Sequence, residues 1–232
     1  MKKKTVGIIG GMGPLATADL FTKIIRATNA ASDSGHIHII VDNDPSIPDR
    51  TGFILHGGES PVESIVRSAR LLQNAGADIL AMPCNAAHCF IEEIQEQIEI
   101  PLLNMIELTA SHLKENGVTR AALLAVDGTV RTGVYSRACE KHGIELMLPR
   151  PALQRRVMEV IYDGIKAGKT QFDVSALQRG IDSLARNGAQ KIILGCTELP
   201  LAAEHYSLRG DFTDPTSILA RAAVISAGYS AF

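Results

Sequence analysis

Two of the chain's four cysteines stand where a thiol can do acid–base work. Cys84 lies in Met82-Pro83-Cys84-Asn85-Ala86-Ala87-His88, directly after the apolar run Ile79-Leu80-Ala81-Met82. Cys196 lies in Ile192-Ile193-Leu194-Gly195-Cys196-Thr197-Glu198-Leu199-Pro200. Each apolar run reads as a strand that delivers its cysteine to the start of a helical pattern. A thiol in that position sits at the carboxyl edge of a sheet, beside helix N–H groups that favour the thiolate. Two thiols directed at one carbon form a proton-transfer pair: the thiolate removes a proton from one face and the thiol returns one to the other. An ordinary thiol, with a pKa of ~8.5, is only a few per cent ionised at pH 7, so the surroundings decide which one acts as base.

Other uses of these residues fit less well. Cys84, His88 and Cys89 form a contiguous cluster, but zinc takes four ligands in a closed site or three beside an open position. Cys84 and Cys89 on one helix would point about 140° apart, and no second ligand pair stands at a familiar spacing. No metal is expected. His88 shares a helical face with Cys84, where it either tunes the thiol or packs and caps. Cys89 and Cys139 read as small buried hydrophobes, and the absence of a CxxC pair argues against a disulfide framework. Gly10-Gly11-Met12-Gly13 follows a strand but is not GxGxxG, so nucleotide binding is not expected. No lysine stands in a recognisable Schiff-base context, which leaves a pyridoxal cofactor unsupported. Arg50 ends the proline-rich loop Asp42–Thr51; its planar fork either receives a carboxylate or pairs with Asp44 or Asp49.

The elements that position these residues alternate. Strands are expected at Thr5–Ile9, His36–Val41, Asp78–Met82, Leu102-Leu103, Arg120–Val126, Ile144–Met147 and Lys191–Leu194. Helices are expected at Leu15–Arg26, Val62–Ala75, Ala86–Ile98, Ile106–Glu115, Val134–His142, Val157–Lys166 and Val174–Asn187. Asp127–Gly133 reads as a Gly/Thr-rich turn, and Asp214-Pro215-Thr216 caps a final helix, Ile218–Ala227. Such alternation implies parallel sheets covered by helices.

The chain also echoes itself. A shift of 112, from position 84 to position 196, superposes the two cysteines and brings Val62 onto Val174, Ile65 onto Leu177, Arg67 onto Arg179, Leu72 onto Leu184, Gly76 onto Gly188 and Ala77 onto Ala189. Helix, glycine turn, strand and thiol recur together. The starts of the halves correspond with a slightly different offset. This is the pattern of a duplication, and two such units face to face would set Cys84 opposite Cys196 across a cleft.

Composition bounds the partners. The 232 residues suffice for two domains, and 46% are apolar. A formal charge of −2, aromatic residues at 4% and the absence of Trp give no nucleic-acid footprint. No apolar run approaches the ~18 residues of a membrane span, and the first is too short for a signal-peptide core. A cytoplasmic protein without nucleic-acid or membrane partners is expected.

At its motifs the chain resembles the aspartate/glutamate racemase superfamily, most closely the aspartate racemase branch. The resemblance runs nearly end to end: Gly10-Gly11-Met12-Gly13-Pro14, Asn43-Asp44-Pro45, Ile47-Pro48-Asp49-Arg50-Thr51, Pro83-Cys84-Asn85 with Ala87-His88, Asp127-Gly128-Thr129 with Thr132-Gly133-Val134-Tyr135, Gly195-Cys196-Thr197-Glu198 and Asp214-Pro215-Thr216. It implies two flavodoxin-like α/β domains related by pseudo-symmetry (1–105 with 212–232, and 106–211) with the active site in the cleft between them. It further implies a homodimer, no cofactor, and racemisation of a small acidic amino acid with Cys84 and Cys196 as the two bases. Met12, Arg50, Asn85, Ala86, Thr129, Lys166, Thr197 and Glu198 would then bind substrate, with Arg50 and Lys166 on its carboxylates. Glu198 resembles the aspartate branch, since glutamate racemases generally carry His there. Ala86 departs from the family's usual Thr or Ser and removes a hydroxyl beside Cys84. Losing a hydrogen bond to a charged group costs roughly 1.5–3 kcal/mol. That keeps two other expectations open, a related isomerase or decarboxylase acting on another carboxylate, and a dicarboxylate-binding protein with little catalysis.

Overall fold

Val6–Gly10 (β1) is buried at all five positions. Strands covered on both faces carry such unbroken apolar runs. β1 pairs in parallel with Ile39–Asn43 (β2) on one side and Ile79–Ala81 (β3) on the other. Leu102 adds a parallel bridge to Leu80, so this sheet runs β2-β1-β3-Leu102. Around it stand Pro14–Ala27 (α1), Arg50–His56 (α2), Val62–Asn74 (α3), Ile91–Gln95 (α4), the start of Met105–Glu115 (α5) and most of the final helix, Pro215–Ser226. Val6 and Ile8 pack with Leu20 and Ile24 of α1 and Leu219 and Val224 of the final helix.

A second sheet is built from Arg120–Leu124 (β4), Glu145–Met147 (β5), Lys191–Leu194 (β6) and Phe212–Thr213 (β7), in the order β5-β4-β6-β7, all parallel. Its helices are Asp127–Thr132 (α6), Val134–Lys141 (α7), Pro151–Glu159 (α8), Ser175–Arg186 (α9) and Glu198–His205 (α10), with a π-helical turn, Val160–Ile165, continuing α8. The chain thus forms two α/β units: one holds the residues up to Leu108 together with Thr216–Phe232, and the other is Thr109–Pro215. The computed structural model of the protein describes residues 3–232.

Both units have the strand order second-first-third of flavodoxin-like sheets, continued by β7 in the second unit and by the Leu102 bridge in the first. The repeat is visible residue by residue. β3 begins at Ile79 and β6 at Lys191, the same 112-residue shift. Gly76 and Gly188, which turn the chain into these strands, have φ of 98° and 96°. Ile65, Ala69 and Leu72 are buried in α3, as are their counterparts Leu177, Ile181 and Leu184 in α9. Val6 faces Ile79 whereas Ala121 faces Lys191, so the first strands correspond at a shift of 115, from position 6 to position 121.

Four local readings change. α2 begins at Arg50, in the last residues of the expected loop, because the Asp49 carboxylate accepts the Gly52 N–H at 2.6 Å, an N-cap. Asp127–Gly133 is not a turn: α6 occupies it and stops at Gly133, whose φ of 65° is the left-handed helix end. α8 begins at Pro151, well before Val157, with proline in the first turn where its missing N–H costs nothing. The helix expected from Ala86 opens as a 3-10 segment, Ala86–Phe90, before α4.

A Cβ on Gly76 would meet nothing within 4 Å, so Gly76→Ala isolates the backbone cost of a positive φ. Left-handed backbone costs an L-residue roughly 1–2 kcal/mol, and urea unfolding of this variant is expected to show a loss of that size. Unchanged stability would mean that the turn relaxes to another conformation.

Candidate active site

In each sheet the chain leaves the first strand to one side and returns on the other, and the loops after those two strands border the crevice where ligands bind. In the first unit they are the loops after β1 and β3. The β1 loop is shaped by close approach. Gly11 has φ of 92°, and a Cβ there would lie 2.1 Å from the Asp44 carbonyl oxygen; one on Gly10 would lie 2.4 Å from Thr17 Cγ2. The Gly11 N–H donates to Thr17 Oγ1 at 2.9 Å, and that hydroxyl donates to the Gly13 carbonyl at 3.0 Å. The glycines therefore serve loop packing, and the N–H that a phosphate would seek is already engaged.

The loop presents the carbonyl of buried Met12 to Arg50, whose Nη2 donates to it at 3.1 Å. Arg50 Nη1 donates to the carbonyls of Ile47 and Pro48 at 3.0 and 2.9 Å. Three of the guanidinium's five N–H groups are thus used. Its Nε–H is buried with no hydrogen-bond partner among the described residues. Asp44, one acid in reach along the chain, takes the N–H and hydroxyl of Ser46 at 2.9 and 2.5 Å, while Asp49 caps α2. The guanidinium is anchored by main chain, with its Nε–H left over.

After β3, the Cys84 N–H donates to the Met82 carbonyl at 2.9 Å, a three-residue turn around Pro83 whose fixed φ suits it. Cys84, Asn85 and Ala86 follow in one buried loop. His88 explains why no α-helix starts here. Its Nδ1–H donates to the Cys84 carbonyl at 2.8 Å, the acceptor that an α-helix would offer to the His88 N–H. That N–H turns to Asn85 instead, at 3.2 Å, which is 3-10 spacing. His88 Nε2 accepts the Met105 N–H at the start of α5 at 3.1 Å. Both ring nitrogens hold main chain, so His88 packs and caps; burial lowers its pKa.

In the second unit the Gly195 N–H donates to the Leu124 carbonyl at 2.7 Å, prolonging the β4–β6 ladder to the cysteine. A Cβ on Gly195 would lie 2.6 Å from Leu123 Cδ1 and 3.2 Å from Tyr135 Cε2, so a larger residue would displace packed side chains. Cys196, Thr197 and Glu198 are all buried. The Cys196 thiol donates to Glu198 Oε2 at 2.9 Å and the Thr197 hydroxyl to the same oxygen at 3.3 Å. Lys166 Nζ lies 3.7 Å from Glu198 Oε1. It is carried there by the π-turn, which pairs the Lys166 N–H with Ile161. Lys169 instead stands over the Phe172 ring. Thr129, in the first turn of α6, has a buried hydroxyl with no hydrogen-bond partner among the described residues.

The electrostatics correct one expectation. Burial first, and then the charge and hydrogen bond of Glu198, raise the Cys196 pKa well above the usual thiol range; Lys166 opposes the shift only in part. Cys196 is a thiol, although α10 begins two residues later. An acid in the first helical turn outweighs the helix dipole. Sequence reasoning named Cys196, Glu198 and Lys166 separately and missed that they form one cluster. Cys139 is fully buried, its pKa raised to about 11 by burial, which suits a core residue. Among the described residues no group of His, Cys, Asp and Glu could hold a metal ion, and no helix is long and apolar enough to cross a membrane.

Residues 9–223 match the family model described as Asp/Glu/Hydantoin racemase. The chain belongs to this family. The racemase family makes it an isomerase by descent, and its solved members share the two parallel α/β units. It is 33% identical to the Picrophilus torridus aspartate racemase, with a TM-score of 0.85 over 99% of this chain and 96% of that one. It is 27% identical to the broad specificity amino-acid racemase RacX of Bacillus subtilis, over 94% of this chain and 96% of the relative. Glutamate racemase of Francisella tularensis, at 17% identity and a TM-score of 0.71 over 97% and 81% of the two chains, is similar in fold.

The His88 geometry yields a pH dependence. The ring is neutral when folded, with a pKa below its ordinary 6.5, so the unfolded chain binds the extra proton. Its contribution to stability is full above about pH 6.5 and is lost as pH falls below it. Urea unfolding between about pH 7.5 and 5 should show this decline, with a shallower slope in His88→Gln. An equal slope in the variant would assign the decline to other groups.

Proposed function

We propose that the protein is a cofactor-independent amino-acid racemase that interconverts L- and D-aspartate by two-thiol transfer of the α-proton. The observation that carries this reading is the repeated placement of one buried cysteine just beyond the third strand of each unit, Cys84 and Cys196. One thiol removes the α-proton as thiolate and the other returns a proton to the opposite face. Both roles must be filled at once, and a chain with Cys196 held as thiol meets half of that requirement.

Substrate binding follows from groups left with capacity. The Nε–H of Arg50 and its neighbouring Nη2 edge suit a carboxylate bidentately. Lys166, a third exposed, supplies a positive charge for the second carboxylate. The Thr129 hydroxyl, the buried Asn85 and Thr197 side chains, and the Met12 and Ala86 loops complete the lining. Two carboxylate partners favour an acidic amino acid, as does the similarity to an aspartate racemase. A second reading, racemisation of a wider range of amino acids, is favoured by Ala86, which offers no hydroxyl to select a polar group, and by the likeness to RacX.

Purified protein incubated with each aspartate enantiomer, with no cofactor added, is expected to produce the other enantiomer on chiral chromatography. A panel of further amino acids separates the two readings, and no turnover of any would overturn both. Cys84→Ser and Cys196→Ser should each lower kcat by about 100-fold or more, the scale of a lost acid–base group. Full activity in either would remove the two-base mechanism. Thr129→Val deletes a hydroxyl that lacks a partner, so stability should hold or rise while KM for aspartate rises about tenfold. An unchanged KM would take Thr129 out of the binding set.

A further inference from the structure

Glu198 is turned toward groups of its own unit. Oε2 accepts from the Cys196 thiol and the Thr197 hydroxyl, Oε1 faces Lys166, and the side chain is buried. A negative charge there would also repel the carboxylates of an acidic amino acid. What the geometry does provide is a fixed acceptor 2.9 Å from the Cys196 sulfur, which binds the thiol and opposes the thiolate. Lys166 offsets that charge loosely. Its 3.7 Å separation from Oε1 is long for a hydrogen bond, and its ammonium also stands 4.9 Å from the Tyr162 ring centroid.

We propose that Glu198 is a positioning residue and not a substrate ligand: it holds Cys196 as the loaded proton donor, and Lys166 sets how firmly. The proposal rests on the two-thiol reading above. A substrate carboxylate that draws Lys166 away leaves the Glu198 charge less compensated, so binding itself strengthens the hold on the thiol proton. In that state Cys84, as thiolate, takes the α-hydrogen while the Cys196 S–H turns out of its hydrogen bond to Glu198 and breaks toward the opposite face of the α-carbon. The turnover leaves a Cys84 thiol and a Cys196 thiolate. A proton passing through solvent from the first to the second restores the start, and Glu198 changes protonation at no step. The resting protein is thereby primed for the enantiomer whose α-hydrogen meets Cys84. Since enantiomers are equal in free energy, kcat/KM must be the same in both directions. The bias appears as kcat and KM that differ between enantiomers by one common factor.

The test reads the thiol directly, in the full chain without substrate. Iodoacetamide labelling of the Cys196 peptide is followed by mass spectrometry from about pH 6 up to the alkaline limit of folding, and the position of the rise, taken as the midpoint, reports ionisation separately from access. Glu198→Gln, which keeps the shape and removes the charge, should lower the midpoint, speeding labelling about tenfold per unit at pH below it. Lys166→Met should raise the midpoint, and Glu198→Asp should stay near the parent. A packing defect would not move the two variants in opposite directions. Glu198→Gln should also bring the kcat values for the two enantiomers closer together. A midpoint that stays or rises in Glu198→Gln, or falls in Lys166→Met, overturns the proposal; should Glu198→Gln not fold, the more exposed Lys166→Met decides alone. If the midpoints move as stated but no amino acid is racemised, the two-thiol reading fails and the thiol lock stands.

Discussion

A parallel sheet sends the carboxyl ends of all its strands to one edge, and every functional assignment in this protein depends on that constraint. β1 and β3 end together, so the Gly10–Gly13 turn and the Cys84 loop issue from neighbouring strands. β4 and β6 end together, so Asp127–Thr129 and Gly195–Glu198 do the same. Close packing then removes the remaining freedom. Gly11 against Asp44 fixes the Met12 carbonyl that receives Arg50, and Gly195 against Leu123 and Tyr135 fixes the peptide that leads into Cys196. Neither glycine could carry a Cβ without moving backbone or a packed side chain.

Equivalent positions in a duplicated fold have been given unequal chemistry. After Cys84 comes a 3-10 segment, because the His88 ring takes the carbonyl that would have begun an α-helix. After Cys196 comes α10, with an acid in its first turn that accepts a hydrogen bond from the thiol. The helix-dipole argument applies to both cysteines in outline and is overridden at the second by a full charge nearby. Fold symmetry supplies two thiols, and local side chains hold one of them protonated. Two-base proton transfer needs that inequality, since two identical thiols at one pH would both be protonated for most of the time.

Much of this was legible in the residues. β1 to β6, the α3 and α9 helices and the duplication follow from apolar spacing and the aligned glycines, whereas the two-residue β7 was not expected and Leu102-Leu103 contributes only a bridge; Gly76 and Gly188 share their positive φ because they share a structural task. The helices that escaped notice are short or set by one side chain: α2 hangs on the Asp49 cap, and α6 on the Gly133 stop. Periodicity does not register such events. Arg50 stood between two readings because chain distance to Asp44 and Asp49 says nothing about which groups those acids already serve. The Cys196–Glu198–Lys166 cluster was hidden for a different reason. It joins α10 to a π-turn about 30 residues earlier, and a helix that widens by one residue cannot be read from a 3.6-residue pattern.

The central claim is that two separate thiols handle the α-proton, one on each face. Its most direct measurement is the position of deuterium after brief reaction of L-aspartate in D2O, at low conversion. The account predicts D-aspartate carrying deuterium at the α-carbon, while the unreacted L-aspartate keeps its α-protium. Deuterium entering the remaining L-aspartate as fast as D-aspartate forms, or α-protium retained in the product, would contradict it.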